Sequence, residues 1–287
     1  IGLTASPASN GLQNTFGQFY VLDAGKRLGN DYKQFQSRYF HKLSGEYGKW
    51  VPYESTRDMI IQQVADMTIE IGAEGNLELP EFQVIDVMVK LTPKLMKGYV
   101  DLERDFEVQL DSGENIEIFN AQALASKLLQ YSSGVVYNYP DPEARPDYRV
   151  EEFVHKIKDE TLDEIIVESG DEPILLAYNF SSERDRIMQK YPDAKCLTGA
   201  SEEEAIAIMA EFNSGKLKLC LVHPLSAGFG LNLQQACSTI VWYGIPYNLE
   251  SYEQTNGRIQ RQGNKSAHVK CFRILCDDTM DIAVSDA

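Results

Sequence analysis

From residue 173 onward the chain alternates short, wholly apolar runs with amphipathic segments, and this alternation leaves few folds open. The run Pro173-Ile174-Leu175-Leu176-Ala177-Tyr178 is continuously apolar, as expected of a strand buried on both faces. Lys195-Cys196-Leu197, 217–222, 238–243 and 269–275 repeat the pattern. Helices are expected between them, over 182–190 and from a capping box at Ser201-Glu202-Glu203-Glu204, with Ala205, Ile208, Met209 and Phe212 following at helical spacing. A further helix is expected over 251–262. Strands and helices in this rhythm specify an α/β class, a parallel sheet flanked by helices on both sides. Ligands of such sheets gather at the carboxyl ends of the strands.

The first 170 residues are less periodic. Residues 10–40 are rich in aromatics (Phe16, Phe19, Tyr20, Tyr32, Phe35, Tyr39, Phe40) and read as a packing surface. Glu81–Val89 alternates as a strand between Pro80 and Pro93. Helices are expected over 94–110 and 120–133, and the prolines at 140, 142 and 146 mark a linker.

Charge is unevenly placed. The net charge of −16 opposes nonspecific nucleic-acid affinity for the molecule as a whole. Residues 141–172 hold twelve acids against four bases, the composition of a solvated helix. Residues 251–275 instead carry Arg258, Arg261, Lys265, Lys270 and Arg273 against Glu253 alone. No apolar run reaches the length of about 18 residues that a membrane span needs. The five cysteines lie in the last third without a Cys-x-x-Cys pair, a pattern of reduced, buried thiols in a cytoplasmic protein with no metal site.

Within the basic island, Gln254, Arg258 and Arg261 fall at i, i+4 and i+7. On a helix capped at Ser251 they share one face. Two neighbouring guanidiniums repel unless an anion lies between them, and a polyphosphate supplies such an anion. Upstream, Ser226-Ala227-Gly228-Phe229-Gly230-Leu231-Asn232-Leu233 follows the strand 217–222. Its two glycines permit close backbone approach to an anion. Both segments open on the same edge of the expected sheet.

Together these segments resemble motifs V and VI of superfamily-two helicases, and most of all those of the Swi/Snf-type double-stranded-DNA translocases. Ala227 to Leu233 matches the Ala-Gly-x-Gly-Leu-Asn-Leu loop, and Gln254, Gly257, Arg258 and Arg261 match Gln-x-x-Gly-Arg-x-x-Arg. Leu175 to Phe180 is similar to motif IV, Leu197-Thr198-Gly199 with Phe212-Asn213 to the segment between motifs IV and V, and Leu3 to Asn10 to motif III. The family order also places a strand after Leu79-Pro80.

The resemblance implies a division into residues 1–50, the end of a first RecA-like ATPase lobe; 51–150, a helical connector with a returning strand; and 151–287, a second RecA-like lobe. It implies a C-terminal portion of a two-lobed motor in which ATP and Mg2+ are held mainly by an N-terminal lobe. Lys26 and Lys216 follow glycines but lack the Ser or Thr of a phosphate loop, so the chain alone is expected to hydrolyse no ATP. Arg258 and Arg261 would act as arginine fingers with Gln254 coupling them. Gly228, Gly230, Asn232 and Gly257 would shape the nucleotide side, and Thr4 and Ser6 would couple the lobes. Ser226, Ala227 and Gly199 would touch the backbone of double-stranded DNA. One departure stands out: the family's Asp-Pro-x-Trp-Asn-Pro segment is replaced by Gly244-Ile245-Pro246-Tyr247-Asn248-Leu249. With the acidic total charge, that departure keeps open a noncatalytic scaffold that binds nucleic acid or a partner. A strand-separating helicase and a restriction-enzyme motor subunit share the same motifs.

Overall fold

The computed structural model describes residues 1–2, 8, 11–42, 50–69, 78–111, 117–138, 150–226 and 231–286. It divides into two compact units, Ile1–Asn76 and Leu77–Ala287. This division does not coincide with the expected boundaries at 50 and 150, because the segment after residue 77 is built into the larger sheet.

In the first unit, helices α1 (Thr15–Asp23) and α2 (Tyr32–Tyr39) precede the antiparallel pair β1 (Phe40–Lys42) and β2 (Trp50–Pro52), followed by α3 (Thr56–Val64). The aromatic run forms the core: Phe19, Phe35, Tyr39 and Phe40 are buried with Leu28, Ile60 and Val64. Asp31 caps α2 by accepting from the Gln34 amide. Arg27 grips Asp66 through two hydrogen bonds of 2.7 Å, the bidentate geometry of strong guanidinium–carboxylate pairs.

The second unit opens with β3 (Glu81–Val89), α4 (Pro93–Asp111) and α5 (Glu117–Ser132), then the antiparallel pair β4 (Val135–Asn138) and β5 (Val150–Phe153). The expected linker prolines lie outside the described residues. There follow α6 (Ile157–Ser169), β6 (Ile174–Ala177), α7 (Ser181–Lys190), β7 (Lys195–Cys196), α8 (Glu202–Asn213), β8 (Leu219–Val222), β9 (Thr239–Trp242), α9 (Leu249–Asn256), β10 (His268–Cys276) and α10 (Met280–Ser285). Six strands form one parallel sheet in the order β3-β10-β9-β6-β8-β7. The unbroken apolar runs are the central strands, and each residue of β6, β8 and β9 is buried. One face packs Ile208 and Phe212 of α8 with Ile259. The other packs Tyr99, Leu128, Leu162, Ile165 and Ile187 from α4 to α7. The strand expected near 82–91 is thus an edge of this sheet, and α4 and α5 cover one of its faces. Among the described residues no helix is long and apolar enough to cross a membrane. The five cysteines are free thiols, four of them buried.

A buried polar network sits behind the carboxyl end of this sheet. Lys158, 1% exposed, lies 2.7 Å from Asp281 and donates to the carbonyl of Tyr243 at 3.1 Å. Burial lowers the lysine's pKa, but the charge and hydrogen bond of Asp281, with the nearby Cys276 and Glu183, together turn the net direction upward. Removing one partner of such a pair costs about 3–5 kcal/mol, because the other charge is left buried. The Tyr243 hydroxyl donates to Asp159 and accepts from Arg186, which also reaches the Ser133 carbonyl. Glu183 is fully buried and accepts from the amides of Asn179 and Phe180 and from the Ser133 hydroxyl. Burial raises its carboxyl above the usual range against those hydrogen bonds.

The network explains the departure at residue 244. A Cβ built on Gly244 would lie 3.0 Å from one Glu183 carboxylate oxygen and 3.1 Å from Cβ of Asn179. The space for a side chain at 244 is filled by an acid arriving from α7. Gly244→Asp is therefore expected to destabilise the protein by more than the roughly 1–3 kcal/mol of simple overpacking, since it adds a second carboxylate. Combining it with Glu183→Ala should recover part of the loss, because the new acid can accept from Asn179 and Phe180. Additive losses in urea denaturation would contradict this account. His155 supplies a second expectation. It is 6% exposed, and burial, reinforced by the charges of Lys158 and Arg186, lowers its imidazole to about 4. The unfolded imidazole, near 6.5, binds its proton first as pH falls. This contribution to stability is complete above about 6.5 and is lost as pH falls toward about 4. His155→Gln should flatten the stability–pH slope in that window, and an unchanged slope would refute the assignment.

Candidate nucleotide and nucleic-acid site

The carboxyl ends of β6, β7, β8 and β9 carry the loops that contain most of the expected site residues. The arginine segment takes a different local form from the one its spacing suggests. Helix α9 starts two residues earlier than expected, capped by Asn248, whose side chain accepts from the Ser251 amide at 2.9 Å. It ends at Asn256 rather than continuing to 262. Beyond Gly257 the chain tightens, with Arg258 N–H bonded to Thr255 O at 3.0 Å and Ile259 N–H to Asn256 O at 3.1 Å. Two anchors account for the change. Ile259 is completely buried in the sheet-facing core, and the Asn256 side chain accepts from the buried Trp242 indole at 3.0 Å. Arg258 and Arg261 consequently project from a turn, while Gln254 alone remains on the helix.

The turn still leaves the two guanidiniums near enough for their charges to interact. Burial, and then the charge of Arg261, lowers the pKa of Arg258. Nε of Arg258 is buried and has no hydrogen-bond partner among the described residues, a condition that costs free energy unless a ligand meets it. Arg261 is held differently: its Nη1 donates to Asn232 Oδ1 and to the Leu231 carbonyl. The Leu233 amide bonds Arg258 O at 3.3 Å. Asn213, at the end of α8, donates to the Asn232 carbonyl at 2.8 Å and accepts from the Gln235 amide at 3.2 Å. Residues 231–235 and the arginine turn are thus laced into one unit.

Other expected residues fall less simply. Gln254 donates to Glu250 within its own helix at 2.8 Å. Gly257 marks the end of α9. Gly199 takes a left-handed φ of 83° in the turn after β7, a conformation that favours glycine. Ser226 ends a single helical turn after β8, its amide bonded to His223 O at 2.9 Å. Ala227, Gly228, Gly230, Thr4 and Ser6 lie outside the described residues. Sequence reasoning gives no role to Glu183 or His223 and includes Asn179 only within the segment 175–180; Asn179 and His223 stand just after apolar strands, and Glu183 in the first turn of α7.

A pair of guanidiniums, one with an unsatisfied buried nitrogen, fits the phosphates of a nucleotide. Among the described residues no group of three His, Cys, Asp or Glu could hold a metal ion.

Comparisons with known proteins bear on the fold that carries these residues. Residues 157–263 match the helicase conserved C-terminal domain family. The whole chain is 31% identical over 294 residues to "Putative protein p41" of Acyrthosiphon pisum secondary endosymbiont phage 1, and it spans 61% of that protein's length. In fold it is similar to the C-terminal part of the Fun30 ATPase domain, with a TM-score of 0.55, 12% identity, and 72% of this chain and 88% of that chain covered. The Sulfolobus solfataricus SWI2/SNF2 ATPase core domain matches with a TM-score of 0.54 and 16% identity, over 98% of this chain and 56% of that one. The same core in complex with dsDNA matches with a TM-score of 0.50 and 16% identity, over 96% and 57%. The chain thus has the RecA-like fold seen in the C-terminal part of SWI2/SNF2-type ATPases, and its match to the helicase conserved C-terminal domain family lies within that fold.

Proposed function

We propose that this chain is the C-terminal part of an ATP-dependent translocase on double-stranded DNA, and that it completes an ATP site whose phosphate loop belongs to an N-terminal lobe. The observation that carries the reading is the arginine turn: two adjacent guanidiniums, one with a buried unpartnered nitrogen and one tied to Asn232. ATP with Mg2+ supplies the anionic phosphoryl group on which such a pair acts. Arg258 offers its free donor to that group, and Arg261 shares its donors with Asn232 and Leu231. Through Asn232 the turn is joined to the segment that leads back to Ser226, so a change at the phosphates reaches the expected DNA contacts by a short covalent and hydrogen-bonded path. The dsDNA complex of a protein with a similar fold supports a duplex as the partner. Contacts to phosphate carry no sequence information, which suits movement along any duplex.

The noncatalytic alternative rested on the net charge of −16 and on the altered 244–249 segment. Glu183 occupies the space at residue 244, so that departure no longer favours a scaffold. In the full-length protein, Arg261→Ala is expected to lower DNA-stimulated ATP hydrolysis by about 10³-fold or more while ATP binding is retained. Turnover within tenfold of wild type would refute the proposal. The 287-residue chain alone should show no hydrolysis with or without DNA; measurable turnover would overturn the two-lobe assignment.

A further inference from the structure

His223 directly follows the buried strand β8 and is half-buried itself. Each of its four hydrogen-bonding groups is engaged. Its amide donates to Thr198 Oγ1 at 2.8 Å, beside Gly199. Its carbonyl accepts from the Ser226 amide at 2.9 Å. Nε2 lies 3.2 Å from the carbonyl oxygen of Asn179, and Nδ1 lies 3.3 Å from the amide nitrogen of Leu225. A carbonyl can only accept and an amide N–H can only donate. The ring must therefore carry its proton on Nε2 and present a lone pair at Nδ1. No arginine or lysine meets both demands, because neither can accept. The Tyr178 ring packs edge-on against the imidazole, with centroids 5.5 Å apart, and holds its plane. The Asn179 loop is in turn fixed by the buried Glu183 through two amides.

We infer that His223 is a positioning residue for DNA binding: its neutral Nε2–H form clamps the Leu225–Ser226 turn to the loops after β6 and β7. This inference rests on the proposed DNA contact at Ser226. The clamp touches neither arginine, so it is expected to act on duplex affinity and not on phosphoryl transfer.

Two measurements test it. In the 287-residue chain at neutral pH, nitrogen chemical shifts should report the Nε2–H tautomer, and His223→Ala should speed amide exchange at Leu225 and Ser226 about fivefold to tenfold, the worth of one hydrogen bond. An Nδ1–H tautomer, or unchanged exchange, would overturn the clamp. In the full-length protein, the same substitution should raise the DNA concentration for half-maximal ATP hydrolysis about fivefold to tenfold, with kcat and the KM for ATP held within about twofold. His223→Gln, which can both donate and accept, should recover part of the loss and also serves where the alanine variant fails to fold. A fall in kcat with unchanged DNA dependence would refute the positioning role. Absence of DNA stimulation in the wild-type protein would defeat the proposed function instead, and the spectroscopic measurement would then decide the clamp by itself.

Discussion

Lys158 enters the interior as a charged group, and the carboxyl edge of the sheet is organised around that fact. Its ammonium is 1% exposed and sits between Asp281 and the Tyr243 carbonyl. A buried ammonium with one partner missing is unfavourable by several kcal/mol, so α6, α10 and the end of β9 cannot separate cheaply. Tyr243 extends the restraint through its hydroxyl to Asp159 and Arg186. Arg186 and Glu183 both reach Ser133 at the end of α5. The loops at the carboxyl ends of these strands therefore spring from a rigid base, as the electrostatic preorganisation of the proposed site requires.

On that base the two arginines are treated unequally. Arg261 is satisfied by Asn232 and Leu231, whereas Arg258 keeps a buried nitrogen unpaired. Like charges near one another raise the free energy of the turn, and an anion between them, as proposed, would relieve it. The same turn bonds Leu233 through backbone, so the segment after the glycine loop feels any shift of the arginines directly.

Much of this was legible beforehand for identifiable reasons. The strands β6, β8 and β9 were readable because burial on both faces forces unbroken apolar runs. The capping box of α8 was readable because its donors and acceptors are three residues apart, and Ser201 and Glu204 do exchange both hydrogen bonds. The aromatic run of residues 10–40 does form a core. The length of α9 is not legible in the sequence, since helical spacing of Gln254, Arg258 and Arg261 says nothing of Ile259 being drawn into the core or of Asn256 being needed by Trp242. The altered segment at Gly244 leaves a noncatalytic scaffold open in the sequence, because nothing local shows that Glu183 fills the space at that position.

The sequence by itself determined the α/β class, the parallel order of elements and the identity of the basic cluster, because each follows from local period, local capping or local charge. Tertiary structure alone decided which atoms of that cluster are free, that Asn232 holds Arg261, and that His223 joins three loops. Those facts depend on contacts between residues 19 to 44 positions apart, such as Asn213 with Asn232, Arg261 with Asn232 and His223 with Asn179. No local pattern encodes such pairs; the closure of the sheet brings them within reach, and burial then makes an unpaired polar atom too costly to leave without a partner or a ligand.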